Sequence, residues 1–153
     1  MNGGCTCGAI RYALTAPPLI THACHCTWCQ RETGGAFAIN AVVETANVNL
    51  LAGSPIDVVT PSLSGKGQII QRCPECHVAL WSHYPTAGRK AAFIRAGTLD
   101  LPNDIKPDVH IFTSSKRPWV VLPDDAYAVP EFYNPADVWS PEARARWAAM
   151  MSS

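Results

Sequence analysis

Seven cysteines stand in this 153-residue chain, and they fall into three groups: Cys5-x-Cys7, Cys24-x-Cys26-x-x-Cys29 and Cys73-x-x-Cys76. Thiols spaced by two and three residues have the spacing of zinc ligands. Tetrahedral zinc, with Zn–S bonds of about 2.3 Å, needs neighbouring sulfurs roughly 3.8 Å apart. Cysteines at i and i+2 of a strand share a face but lie about 6.6 Å apart at Cα. A bend must draw them together, and Gly8, next to Cys7, can adopt the backbone angles of one. Cys73-Pro74-Glu75-Cys76 is a tight turn in which Pro74 fixes one dihedral. Disulfides explain the pattern poorly. The count is odd, a Cys-x-Cys loop closes only under strain, and reducing compartments rarely keep such bonds.

Counting ligands divides the set. Cys5, Cys7, Cys73 and Cys76 supply four sulfurs, a closed shell expected to hold a structural zinc. Cys24, Cys26 and Cys29 supply three and leave one coordination position for a visitor, which is the pattern of catalytic zinc. Three thiolates weaken the Lewis acidity of such an ion, so thiol chemistry fits the site better than hydrolysis. Two other readings stay open here. A histidine could complete the shell, with His22, His25, His77, His83 and His110 as candidates. Cys26-x-x-Cys29 could be a redox pair, although no βαβ pattern surrounds it.

Short strands must position these groups. Ile10, Tyr12 and Leu14 alternate with Arg11 in a half-buried strand over 8–14 that Pro17-Pro18 ends. Residues 19–23 deliver Cys24. Thr27–Glu32 forms one helical turn, stopped at Gly34-Gly35. Further strands are expected over 36–43, 48–51, 56–59, 91–95, 109–113 and 119–122. Residues 68–72 and 77–82 form a hairpin with the Cys-Pro-Glu-Cys turn at its tip. The chain from Pro123 to Pro135 reads as irregular. Ser140, Pro141 and Glu142 mark the start of one helix, with Trp147 and Met151 on a common face, packed on or lying over the sheet edge. Many short strands with Gly and Pro punctuation imply a mainly β domain.

Charge excludes some partners. Lys+Arg and Asp+Glu are both 12, so the basic excess of a nucleic-acid or anionic-membrane binder is missing. No apolar run approaches the roughly 20 residues of a membrane span. The start of the chain shows neither the basic region nor the apolar stretch of a signal peptide, which places it in the cytoplasm.

Three segments together resemble a known family. Gly4-Cys5-x-Cys7-Gly8-x-x-Arg11-Tyr12, Cys24-His25-Cys26-x-x-Cys29-Gln30-Arg31-x-Thr33-Gly34 and Cys73-x-x-Cys76-x-x-x-Leu80-Trp81 are similar to the glutathione-dependent formaldehyde-activating enzymes, the GFA or CENP-V/GFA domain. His110-Ile111-Phe112-x-Ser114-Ser115-Lys116-x-Pro118-Trp119 resembles the late motif of that family. The resemblance implies an Mss4-like, zinc-stapled fold of small antiparallel sheets, with a GFA-type domain over 3–132 and a helical C-terminal extension over 133–153. It implies two zinc ions per chain, a structural one on Cys5, Cys7, Cys73 and Cys76 and a catalytic one on Cys24, Cys26 and Cys29. The implied activity is that of a carbon–sulfur lyase, which adds a small thiol such as glutathione to formaldehyde or a related small aldehyde, or runs the reverse. The two carboxylates of glutathione need cations, for which Arg31 and Lys116 are the candidates. Arg11 and Arg72 flank the structural cluster and are expected to serve the fold. Thr33 and Gly34-Gly35 offer N–H groups to an anion, and Trp28 and Trp119 are candidate pocket walls. The competing class is a non-catalytic zinc-binding interaction module on the same scaffold.

Overall fold

The computed structural model describes residues 1–153. Two sheets carry the architecture. The smaller has strands β1 (Asn2–Gly4), β2 (Arg11–Leu14) and β5 (Val48–Ala52), in the order β1-β2-β5, all antiparallel. The larger is built from β3 (Ile20–Cys24), β4 (Ala38–Glu44), β6 (Ile56–Thr60), β7 (Gln68–Arg72), β8 (Ala79–His83), β9 (Ala91–Arg95) and β10 (Val109–Ile111). Its order is β10-β3-β4-β9-β8-β7-β6, and only β10 runs parallel to its neighbour, β3. The chain is thus mainly β, with three helices: α1 (Thr27–Thr33), α2 (Pro135–Val138) and α3 (Pro141–Ser152).

The large sheet is covered on both faces. All five residues of β3 are buried, as expected of a strand without a solvent side. One face meets the small sheet in a core that holds Tyr12, Leu14, Ala41, Val43, Trp81 and Ile94, together with Cys5 and Cys73. The other meets α1 and the C-terminal segment in a second core with Ile20, Val42, Val109, Ile111 and Tyr133, together with Cys24, Cys26 and Cys29. Each core therefore contains one cysteine group.

Local chemistry sets the helix ends. Cys26 is the N-cap of α1, its Sγ accepting from the Cys29 N–H at 3.3 Å. Gly34 ends α1 in the left-handed region at φ 70° and returns its N–H to the Gln30 carbonyl, a conformation glycine adopts without a Cβ penalty. Ser140 Oγ accepts from the Ala143 N–H at 3.0 Å to open α3, with Pro141 in the first turn.

Three expectations about the strands need correction. Residues 119–122 form no strand. Trp119 and Val121 are 73% and 89% exposed, so this apolar run has nothing to bury against. The strand expected over 109–113 stops at Ile111, because Phe112 turns into the left-handed region at φ 55°. Strand β1 was not anticipated: Asn2-Gly3-Gly4 has no β-forming side chain and forms by pairing with Arg11–Ala13.

Glu44 anchors α3 to the sheet. Arg146 donates from Nε to Oε1 at 2.9 Å and from Nη2 to Oε2 at 2.7 Å, and Nη2 also reaches the Pro17 carbonyl at 3.0 Å. Partial burial pushes the Glu44 carboxyl up, but Arg146, together with the Asn47 amide, outweighs this and holds it below its ordinary value. A depressed carboxylate stabilises the fold above the unfolded pKa and loses that contribution as pH falls through the folded one. Arg146→Ala is expected to cost about 1–2 kcal/mol at pH 7. The gap to wild type should narrow below pH 4.5, the ordinary value. Urea denaturation of both proteins at pH 7 and pH 3.5 checks this; a gap that is constant with pH would refute the pairing.

Candidate active site

The four-sulfur group is built from two similar knuckles. In each, the residue after the second cysteine takes a positive φ: Gly8 at 80° and His77 at 60°. In each, that residue's N–H returns to the carbonyl of the first cysteine, Gly8 to Cys5 at 3.1 Å and His77 to Cys73 at 3.0 Å. The knuckles interlock across 66 residues of chain, with Cys7 Sγ 3.7 Å from Cys73 Sγ and 3.5 Å from Cys5 Sγ. These separations are near the sulfur–sulfur distance of tetrahedral zinc. All four sulfurs lie within 4.8 Å of one another. Backbone N–H groups favour the thiolates: Ile10 N donates to Cys5 Sγ at 3.2 Å, and the Val78 N–H leads the groups that lower Cys76 to about 6. Cys7 goes the other way. The Ala9 N–H favours its thiolate, but the Cys5 and Cys76 sulfurs outweigh that and push it up to about 12.

The three-sulfur group gathers Cys24 from the end of β3, Cys26 from the N-cap of α1 and Cys29 from its first turn. Its sulfurs also lie within 4.8 Å of one another, and no histidine or carboxylate joins them. Three such thiols cannot all ionise beside one another. Hydrogen bonds from Cys24 and Cys29 lower Cys26 to about 2, and the same interactions raise Cys24. Both groups fit a divalent, thiolate-loving metal ion by donor type and by spacing.

Four of the five histidines are engaged elsewhere, and His77 is exposed beside the four-sulfur group. His25 Nε2 lies 3.0 Å from His110 Nδ1. His83 Nδ1 meets the Ala91 carbonyl at 2.8 Å. His22 Nε2 is 2.5 Å from the Tyr133 hydroxyl. Tyr133 Oη in turn accepts from Trp139 Nε1 at 2.7 Å, which leaves its own proton free to go to His22.

The loop that carries Cys26 is held by its neighbours in the chain and by the late motif. Gln30 Nε2 donates to the His25 carbonyl at 2.6 Å and to the Ser115 carbonyl at 3.0 Å. Ser115 Oγ donates to the same His25 carbonyl at 3.0 Å. Two segments 90 residues apart thereby fix one peptide between Cys24 and Cys26.

A cavity of about 660 Å³ opens onto this group and is lined by all three of its cysteines. Its floor is the large sheet. His22 and Cys24 share a face of β3, Asn40 and Val42 the corresponding face of β4, and Phe93 is paired with Val42 on β9. Trp28 of α1 forms part of the wall, but Trp119 does not. Arg31 is exposed on α1 and lies outside the lining. Lys116 is also outside it, with Nζ given to the Val120 carbonyl at 2.6 Å. The cations in the lining are Lys66 and Arg144, which no local pattern in the sequence pointed to.

The family model for the glutathione-dependent formaldehyde-activating enzymes matches residues 1–115. The chain belongs to that family. A Halomonas elongata protein named for the same family is 27% identical over 127 residues, 80% of each chain. A crystal structure of a Rhodobacter sphaeroides protein has a similar fold, with a TM-score of 0.50 and 17% identity over 70% of this chain and 92% of that one. The match to the GFA family ends before the outer wall of the cavity begins. Phe132, Tyr133, Trp139, Arg144 and Trp147 all lie beyond it.

The Tyr133 hydroxyl joins that outer wall to β3. Tyr133→Phe strands the Trp139 N–H and His22 Nε2, at an expected cost of about 1–3 kcal/mol, with metal content unchanged. Denaturation midpoints and metal analysis measure both; an unshifted midpoint would remove the network from the account.

Proposed function

We propose that this protein is a zinc-dependent carbon–sulfur lyase. In the forward direction it joins a small thiol, such as glutathione, to formaldehyde or a related small aldehyde. The observation that carries this reading is an asymmetry between the two cysteine groups. Cys5, Cys7, Cys73 and Cys76 form a set of four that contributes nothing to the cavity, whereas Cys24, Cys26 and Cys29 form a set of three that faces into it. The first set suits a structural zinc and the second a catalytic one. A reducing compartment such as the cytoplasm suits seven unpaired thiols.

A zinc ion held by three thiolates supplies positive charge that keeps a fourth sulfur ionised near neutral pH. The chain's own residues do the rest. In the net reaction a carbon–sulfur bond forms, the carbonyl π pair moves to oxygen, and the thiol proton ends on that oxygen. His22 shares the face of β3 with Cys24, and burial lowers it to about 4, so it is neutral and accepts a hydrogen bond. Burial raises Tyr133 to about 12, so its hydroxyl stays protonated. In this reading the Tyr133–His22 pair carries the proton toward the carbonyl oxygen. Gln30 and Ser115 keep the Cys24–Cys26 loop in place, which preserves the spacing of the sulfurs. Arg31 and Lys116, outside the lining, meet only those parts of a long thiol that project from the cavity.

An interaction module would need no cavity at Cys26, and the cavity that reaches Cys26 supports the enzyme reading instead. Zinc analysis of purified protein should give about two ions per chain. Cys26→Ala should lower this to about one, keep the circular dichroism spectrum, and lose thiol addition to formaldehyde followed by loss of free thiol. Cys73→Ala should lose the fold, since a structural site contributes on the order of 10 kcal/mol. Full activity in Cys26→Ala, or collapse of its fold, would overturn the division between the two sites.

A further inference from the structure

The cavity is large and greasy for the substrates after which the family is named. Formaldehyde has two heavy atoms, whereas about 660 Å³ is room for a drug-sized ligand. Fifteen of the 25 lining residues are hydrophobic. Trp28, Phe93, Phe132, Trp139 and Trp147 are among its aromatic rings. Trp139 and Trp147 meet edge to face at 5.3 Å. The peptide groups of glutathione would have to reach the polar minority of the lining, such as Asn40, Ser62, Gln68 and Thr86, and burying an amide that remains unpaired is costly. An apolar ring would be favoured there by burial and by aromatic contact.

Charge supplies a second, independent constraint. Lys66 and Arg144 are in the lining, and no Asp or Glu is. Both cations are exposed residues at the mouth. Neither takes part in a salt bridge, and neither side chain donates a hydrogen bond to the protein. By contrast, the neighbouring Arg146 is fully engaged with Glu44. A cavity with an apolar body and a purely cationic rim is matched by a ligand with a ring and an anion.

We propose that the natural substrate carries an apolar, ring-sized body ending in a carboxylate, with the ring between Trp28 and Trp147 and the carboxylate at Lys66 and Arg144. This rests on the reading of the Cys24–Cys26–Cys29 cavity as the substrate site. Either the aldehyde or the thiol could bring the ring. The outer wall lies beyond the family match at residue 115, so Trp147 and Arg144 come from the C-terminal segment, whereas Trp28 and Lys66 lie within the matched region.

The test uses full-length, zinc-loaded protein and intrinsic tryptophan fluorescence. 3-Phenylpropanoate, which has neither thiol nor aldehyde, is the probe, and 3-phenylpropylamine is its charge-reversed control. The acid is expected to bind at least about tenfold more tightly than the amine, the effect of about 1.4 kcal/mol from one charge-assisted contact. Arg144→Gln and Lys66→Gln should each erode that preference, and Trp147→Leu should weaken both ligands, all with unchanged circular dichroism. Equal binding of acid and amine, no binding, or indifference to all three substitutions overturns the proposal. Two further titrations, 2-mercapto-3-phenylpropanoate alone and 4-formylbenzoate with 2-mercaptoethanol, decide which half bears the ring; tight binding of either supports the proposal, and binding of neither overturns it. Failure of the lyase reading shows separately. In cobalt-substituted protein, 2-mercaptoethanol would leave the sulfur-to-metal charge-transfer band unmoved, while the acid preference would persist.

Discussion

Thiols held within 4.8 Å of one another cannot all become anions without a cation among them. That repulsion is the constraint on which this structure depends, and it acts twice. Among Cys5, Cys7, Cys73 and Cys76, the Val78 N–H leads the groups that lower Cys76, while the Cys5 and Cys76 sulfurs push Cys7 up against the Ala9 N–H. Among Cys24, Cys26 and Cys29, Cys26 takes the charge at the expense of Cys24. A divalent ion at each group would remove the conflict and hold distant segments together. The three-sulfur set then retains one negative charge, because three thiolates exceed two positive charges by one. The buried Arg95 guanidinium, held by Asn40 and by Ser82 Oγ at 3.1 Å, favours the Cys29 thiolate and offsets part of that charge.

The different surroundings of the two sets follow from the sheet that separates them. A strand alternates its side chains between two faces, and here both faces are covered. The face toward the small sheet is filled by Tyr12, Trp81 and Ile94. Tyr12 closes its hydroxyl on Thr98 Oγ1 at 2.7 Å, and Cys5 and Cys73 are buried in the same core. The opposite face is covered by α1 and by the segment from Phe132 onward, a helix-and-loop cover that bridges the sheet without filling it. The space that remains is the cavity, and the unsaturated cysteine set faces it.

Much of this was legible because it is local. Cysteine spacing defines the knuckles, Gly8 and Gly34 mark their bends and ends, and Ser140-Pro141-Glu142 announces α3. Ile10, Tyr12 and Leu14 alternate as they are buried. The division of the cysteines into four and three needed only ligand counting. What escaped was set by distant partners. β1 exists because Arg11–Ala13 offers it an edge. Residues 119–122 look like a strand but lie on the surface with no sheet to join. Arg31 is adjacent to the cysteines in sequence yet points away from the cavity they face. Lys66, in a turn-rich loop, and Arg144, near the end of the chain, carry no motif that reports that both line one cavity.

The final helix shows how far a position on a helix decides a role. Ala143, Trp147 and Met150 stand at i, i+4 and i+7, which makes one stripe, and these are the apolar residues of α3 that turn inward, with Arg146 half-buried beside them. Met151, one residue further round, is 39% exposed. Arg144 and Arg146 are two residues apart, so their side chains leave the helix about 200° apart. Arg146 reaches back to Glu44 and Pro17 and fastens the helix to the sheet. Arg144, three residues before Trp147, lies beside it at the cavity mouth. A helix of 12 residues is marginal in isolation, so its order derives from docking. The docking that orders it also brings a ring and a cation to the cavity, and this ties the shape and charge of the cavity mouth to the attachment of a segment remote in sequence from every cysteine.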